Sequence, residues 1–218
     1  MARSDRRRKP SRNLPQRKRF LIVVEGVVTE REYIEAVRRS LRLGKETIAI
    51  ETGHTDPIGI VRQAKAIIKA SSDVDAYDQA WCVFDVEAKT DQQGRFGLDE
   101  ALDAAQGTNG KAKIRCAVSN PCFEIWLLWH DAAQTGPINS AAAQSRCLEM
   151  GITCGKDGKH IRNADDLIAT RYTAARERAS MVDQAHDRDG KTTPEDRNPS
   201  SGVYKLIDAI YVAFPPRE

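Results

Sequence analysis

Four short apolar runs alternate with more polar, amphipathic segments over the first 130 residues of the chain. The runs lie at about residues 20–25, 47–51, 79–84 and 113–118. Continuous apolar runs of this length are typical of strands that helices cover on both faces, as in parallel sheets. Strands that alternate with helices form βαβ units. The pattern therefore predicts an α/β fold with a mainly parallel, four-stranded sheet.

The intervening segments carry start signals for helices. Thr29 and Glu32 have the spacing of a capping box, which predicts a helix over about 30–42. Asp56 precedes Pro57, and proline is favoured at the first position of a helix, so a second helix is predicted over about 57–70. Two further helices are predicted, a short one and the most apolar one of the chain, at about 98–105 and 122–130.

The pattern changes at about residue 133. Residues 131–162 are rich in glycine and small side chains and are predicted to be mostly loops. A long helix is predicted from Asn163 to about 187, and a last helix over about 202–212. Helical spacing predicts four buried positions in the last helix, namely Leu206, Ile207, Ile210 and Val212.

Charge divides the chain unevenly. Residues 1–19 hold nine Lys or Arg and one Asp, a net charge of +8, while the other 25 basic and 30 acidic residues leave −5. We therefore predict a disordered basic tail over 1–18, an α/β domain over 19–132 and a helical C-terminal extension over 133–218 that packs on the same core. The tail fits an arm that binds nucleic acid and a solubilising terminus equally well.

Composition narrows the cellular setting. No apolar stretch has the length of a membrane helix, and the basic N-terminus lacks the apolar segment of a signal peptide. The five cysteines form no Cys-x-x-Cys pair, so a reduced, cytoplasmic protein is expected. A zinc site built from Cys147, Cys154 and His160 is a minor alternative, because the spacing fits no familiar pattern.

The first and third apolar runs both end in carboxylates. Glu25 ends the first, and Asp85 and Glu87 end the third. In a doubly wound sheet of order 2-1-3-4 these strands are neighbours, and ligands bind at the carboxyl edge where the strand order reverses. Three carboxylates at one edge repel one another unless a divalent cation neutralises them. The sequence therefore predicts a Mg²⁺ site, which Mn²⁺ could also occupy.

Other candidates surround this trio. Glu30 lies in the first helical turn, where the helix dipole alone accounts for an acidic residue as well as a catalytic role does. Lys89 lies in the loop after Asp85 and could hold phosphate oxygens or be solvated. Asn120 and Glu124 follow the fourth strand and are expected to face the same edge.

Three motifs give the chain a resemblance to a known family. They are Val-Glu-Gly-Val-Val-Thr-Glu over 24–30, Phe-Asp-Val-Glu over 84–87 and Ser-Asn-Pro-Cys-Phe-Glu-Ile-Trp-Leu over 119–127. Asn-Pro-Ser-Ser-Gly-Val-Tyr-Lys over 198–205 adds a fourth match. Together they resemble the RloB-like family, which is in turn similar to the metal-dependent Toprim fold. This chain has Glu87 where the family usually has a second Asp.

The resemblance implies a function and a setting. Glu25 would be the acid/base residue and Asp85 a Mg²⁺ ligand in a nuclease that hydrolyses DNA or RNA, as the effector of phage defence beside an AAA-type ATPase. The chain itself has no P-loop motif. The alternative is a non-catalytic module that binds nucleic acid or the ATPase. A phospho-receiver would need a nearby acidic pair after strand one and a Lys ending a fifth strand, and neither is visible. No membrane partner is expected, and homo-oligomerisation is left open.

Overall fold

The computed structural model describes residues 18–72, 75–86, 94–106 and 112–216. For residues 94–96 it describes the backbone only. Apart from Lys18, the predicted basic tail lies outside the described residues. Glu87 and Lys89 also lie outside them. Within this part of the chain, no helix is long and apolar enough to cross a membrane.

The parallel strands of the main sheet are β1 (Phe20–Val24), β2 (Ile48–Glu51), β3 (Gln79–Asp85) and β4 (Lys113–Asn120). A short strand from the C-terminal region, β7 (Ser200–Ser201), joins them, and the strand order is β2-β1-β3-β4-β7. β1 pairs in parallel with both β2 and β3, and β3 pairs in parallel with β4. The predicted order 2-1-3-4 is confirmed, and the arrangement is consistent with a Toprim-like doubly wound fold.

Helices cover both faces of the sheet. They are α1 (Thr29–Ser40), α2 (Pro57–Ala70), α3 (Gly94–Gln106) and α4 (Glu124–Asp131). Alternate residues of β1 point to opposite faces. Leu21 and Val23 pack in a cluster with α2 and α3, whereas Phe20 and Ile22 pack in a larger cluster with α1, α4 and the C-terminal helices. Burial on both faces accounts for the unbroken apolar run of this strand.

The predicted capping box is wrong. α1 begins after Val28 without a side-chain cap. Thr29 Oγ1 donates instead to the carbonyl of Lys159 at 2.7 Å, and the Glu32 carboxylate accepts from the backbone N–H of Ile161 at 2.8 Å. Partners 129 and 130 residues away have displaced the local partners that the spacing suggested.

The region predicted as loops contains regular structure. α5 spans Ser140–Glu149, and β5 (Thr153–Cys154) pairs antiparallel with β6 (His160–Ile161) in a small hairpin. Asn139 caps α5 by accepting from Ala142 N at 2.8 Å. The strands have two residues each, too few for the alternation of polar and apolar positions that reveals a strand in sequence.

The C-terminal helices pack on the same apolar cluster as β1 and α4. Asn163 caps α6 (Ala164–Asp166), and a π-helical turn (Leu167–Arg171) leads into α7 (Tyr172–Arg188). α8 spans Val203–Ala213. Leu206, Ile207 and Ile210 are buried as predicted, but Val212 is 81% exposed because it lies on the outer side of α8.

A strand from the C-terminal region completes the main sheet. β7 (Ser200–Ser201) pairs antiparallel with the end of β4, and Gly202 N donates to the carbonyl of Val118 at 2.8 Å. A Cβ on Gly202 would lie 3.1 Å from Ala117 Cα and 3.2 Å from Val118 N. Glycine therefore allows α8 to begin directly against β4.

We expect Gly202→Ala to lower the free energy of unfolding by about 1–3 kcal/mol, because α8 and β4 must separate to admit the methyl group. Urea denaturation measures this change. Gly136→Ala is the matched control, since nothing lies within 4 Å of a Cβ there. We expect the control to stay within about 0.5 kcal/mol of the parent. Equal losses in the two variants would contradict close packing at Gly202.

Candidate functional site

The carboxyl ends of β1 and β3 bring two predicted site residues into contact. Val24 pairs with Val83, and Glu25 N donates to the carbonyl of Val83 at 3.0 Å. The Glu25 side chain crosses to the neighbouring strand, where its Oε2 accepts from Asp85 N at 3.1 Å. Parallel pairing of the two strands therefore holds the Glu25 carboxylate beside Asp85.

Asp85 has a buried oxygen without a partner. Its Oδ1 makes no hydrogen bond with any residue that the structure describes. Burial raises the pKa of Asp85 well above its usual range, and the charges of Glu30, Glu25 and Glu124 act in the same direction. A buried polar atom without a hydrogen bond is costly to a folded protein. Asp85 Oδ1 is therefore a candidate ligand atom.

Glu30 lies behind this pair and is buried, with 8% of its surface exposed. Burial is the largest cause that raises its pKa to about 7, and Glu124 and Glu25 add to the effect. Gly26 makes room for this carboxylate, since a Cβ on Gly26 would lie 1.8 Å from Glu30 Oε2. The glycine after Glu25 thus serves the packing of Glu30 against the backbone.

A second strand-to-helix junction contributes Glu124, the first residue of α4, which is 4% exposed. Its Oε1 lies 3.4 Å from the ammonium of Lys159 on the β5–β6 hairpin. Partial burial lowers the pKa of Lys159, but the charges of Glu124 and Glu30 outweigh it and raise the pKa overall. Lys159 therefore carries its positive charge beside the buried carboxylates.

Three hydrogen bonds fasten the hairpin to the first turn of α1. Two of them are the Thr29 and Glu32 bonds described above, and the third joins His160 Nδ1 to Glu32 Oε1 at 2.6 Å. The hydrogen bond and charge of Glu32 raise the pKa of His160. The helix that follows Glu25 thus positions the hairpin that carries Lys159.

These groups surround one open cavity of about 430 Å³. Its described lining is Glu25, Gly26, Val27, Val28, Thr29, Glu30, Thr55, Asp85, Glu124, Gln144, Asp157 and Lys159. Five carboxyl groups and one lysine make this lining strongly acidic. No three His, Cys, Asp or Glu side chains of the described residues are grouped closely enough to hold a metal ion as they stand, and Glu87 lies outside that part of the chain.

Not every predicted site residue lines the cavity. Asn120 is 4% exposed, and its Nδ2 donates to the carbonyls of Pro194 and Glu195, so it fastens the loop before β7. Lys89 lies outside the described residues. Cys147, Cys154 and His160 do not form a metal-binding group.

Sequence reasoning missed Lys159. The segment Gly155-Lys-Asp-Gly158 has the glycines of a tight turn, and basic residues follow it, which was the available signal. Both glycines adopt positive φ, +91° and +65°, which favours glycine. Nothing in the local sequence links this turn to a site 130 residues earlier, since that contact is tertiary.

We expect Gly26→Ala to keep the fold and to lower the pKa of Glu30 from about 7 toward its ordinary value, because the methyl group forces the buried carboxylate outward. NMR titration of the Glu30 carboxyl carbon measures this. Gly44→Ala is the control, since its Cβ would likewise meet a glutamate carboxylate, that of Glu46, but away from the cavity. An unchanged Glu30 titration in Gly26→Ala would refute the packing role.

Docking of the β5–β6 hairpin on α1 should depend on pH. The raised pKa of His160 means that its charged form favours the docked hairpin. This contribution is fully present below the unfolded pKa of about 6.5 and is lost as pH rises through the raised folded pKa. We expect the exchange protection of the Ile161 amide to fall as the pH rises above about 6.5. His160→Gln should remove the pH dependence. Protection that stays constant in the unmodified chain would contradict the expectation.

Comparison with known proteins assigns the chain to a family. Searches of curated proteins and of solved structures returned no match. A family model described as RloB-like protein matches residues 20–210, which include both carboxylate-bearing strand ends, the β5–β6 hairpin and most of α8. Because the match covers nearly all of the 218 residues, the chain belongs to the RloB-like family.

Proposed function

We propose that the acidic cavity binds Mg²⁺ or Mn²⁺ and hydrolyses phosphodiester bonds of DNA or RNA. The observation that carries the proposal is the buried Oδ1 of Asp85, which lacks a hydrogen bond to any described residue while Asp85 N binds Glu25. Folding has gathered acidic groups at a cost in free energy, as expected for a site that a cation completes.

The oxygen atoms of the lining have the chemistry of ligands for a hard divalent cation. Carboxylate oxygens are the ligands that Mg²⁺ prefers, and Asp85 and Glu25 supply them in the described part of the chain. Glu87, two residues after Asp85, is the third candidate from the sequence. When bound, such a cation supplies positive charge to a phosphate and makes water more acidic.

Side chains of the protein would take the proton from the attacking water. Glu25 has one oxygen fixed by Asp85 N and is half-buried at the cavity, where it would accept a proton from the attacking water. Glu30 and Glu124 are buried in the lining of the same cavity, and burial raises the pKa of Glu30 to about 7. Lys159 lies beside Glu124 and partly offsets its charge.

The proposed cellular role is that of an effector in phage defence with an AAA-type ATPase as partner. Its support is membership of the RloB-like family, because the resemblance to that family implies this setting. In this arrangement the partner would supply ATP hydrolysis.

The test compares cleavage of labelled DNA and RNA with Mg²⁺ or Mn²⁺, with and without the ATPase. Glu25→Gln removes a proton acceptor while keeping the shape, so we expect the rate to fall about 10²-fold or more. Asp85→Asn should cost activity that a higher metal concentration partly restores. Glu46→Gln is the matched control, because Glu46 is exposed and lies between α1 and β2, away from the cavity.

Two outcomes would decide against the nuclease. Cleavage and phage defence that survive in folded Glu25→Gln and Asp85→Asn would show that the site is not catalytic. Loss of nucleic-acid or ATPase affinity alone, in a protein that never cleaves, would favour the non-catalytic binding module.

A further inference from the structure

We propose that the β5–β6 hairpin binds the backbone of the nucleic acid, with Lys159 contacting the phosphate that enters the cavity and Lys156 contacting a neighbouring phosphate. This inference rests on the proposed function, because it assigns the phosphate-binding element of the same site. A substrate bound in this way must be a polymer that presents at least two phosphates.

The hairpin carries positive charge next to an acidic cavity. Glu25, Glu30, Asp85 and Glu124 would repel a phosphodiester that approaches the cavity, even after one divalent cation has neutralised two of them. Residues 152–162 contain Lys156, Lys159 and Arg162 against Asp157 alone. The hairpin thus adds a basic edge to an acidic cavity, which is the arrangement that admits a polyanion to a metal site.

Hydrogen bonds hold the backbone of Lys159 in place. Its carbonyl accepts from Thr29 Oγ1 at 2.7 Å, and its N–H donates to Asp157 Oδ1 at 3.2 Å. The adjoining β6 is held by Glu32 through Ile161 N. These bonds fix the backbone of Lys159 at the cavity, so no backbone ordering is needed when a phosphate binds.

The ammonium of Lys159 is accessible to a substrate. Its side chain is 43% exposed, and its distance to Glu124 Oε1 is 3.4 Å, at the long end for a hydrogen bond. An ammonium has three N–H donors, and among the described residues it donates to Glu124 Oε1. A substrate phosphate can therefore accept from the exposed side of the ammonium while Lys159 stays beside Glu124.

The other basic groups of the hairpin have separable roles. Lys156 is exposed in the turn between Gly155 and Gly158, beside the residues that line the cavity. Arg162 donates from Nε to the carbonyl of Gly151 at 3.0 Å, so it closes the base of the hairpin. We therefore assign phosphate contacts to the two lysines and a structural role to Arg162.

The experiment measures binding without cleavage. A fluorescent single-stranded oligonucleotide is titrated with the full chain in Ca²⁺, and the affinity is recorded over a series of salt concentrations. We expect Lys159→Met to weaken binding about tenfold and to reduce the salt slope by about one phosphate contact. Lys156→Met should give a smaller loss of the same kind, and Lys159→Arg should keep most of the affinity because it retains the charge.

The control is Lys69→Met. Lys69 is exposed in the last turn of α2, which runs back from the carboxyl edge of the sheet, so it lies at the opposite edge. We expect parent-like affinity and salt slope. If Lys159→Met fails to fold, Lys156→Met and Lys159→Arg still report on the hairpin.

The outcomes separate this inference from the nuclease itself. A parent that binds and cleaves, with folded Lys159→Met and Lys156→Met showing unchanged affinity and salt slope, overturns the hairpin assignment and leaves the nuclease standing. A parent that binds without cleaving, with weakened lysine variants, supports the hairpin and removes the nuclease. A parent that binds no oligonucleotide overturns both.

Discussion

The parallel pairing of β1 with β3 is the constraint on which the site depends. It places Glu25 one residue beyond the last paired residue of β1, directly beside the end of β3, so that its carboxylate can accept from Asp85 N. In a parallel sheet both strands end at the same edge, and the reversal of strand order leaves that edge open between helices. The free energy gained by burying the apolar core thus offsets the repulsion within the acidic cluster.

That cluster is held together against its own repulsion. Burial raises the pKa of Asp85 and of Glu30, and the charges of neighbouring carboxylates add to the effect. The ionised forms of both groups are therefore disfavoured in the folded protein. Gly26 allows the Glu30 carboxylate to lie against the backbone, and Lys159 offsets part of the charge through Glu124. Buried carboxyl groups with raised pKa values are common where a protein binds a ligand. Their burial lowers the stability of the free protein, and the function of the site accounts for that loss.

The C-terminal region completes the α/β domain at two places. The β5–β6 hairpin docks on the first turn of α1 and brings Lys159 to the cavity, while β7 adds an antiparallel strand beside β4. Its helices share one apolar cluster with β1 and α4. The region therefore contributes both to the core and to the lining of the site, so removing it would alter the cavity as well as the stability.

The sequence by itself determined the parallel sheet and the meeting of Glu25 with Asp85. Strands buried on both faces must be apolar throughout, and this requirement is visible in residues 20–24 and 80–84 without knowledge of their neighbours. The tertiary structure alone decided the hydrogen-bond partners of Thr29 and Glu32. It also decided that Asn120 binds the loop before β7 and that Lys159 lies beside Glu124 at the cavity. Each of these depends on a contact between residues distant in the chain, and local spacing carries no record of such a contact because the competing local hydrogen bonds have similar energies.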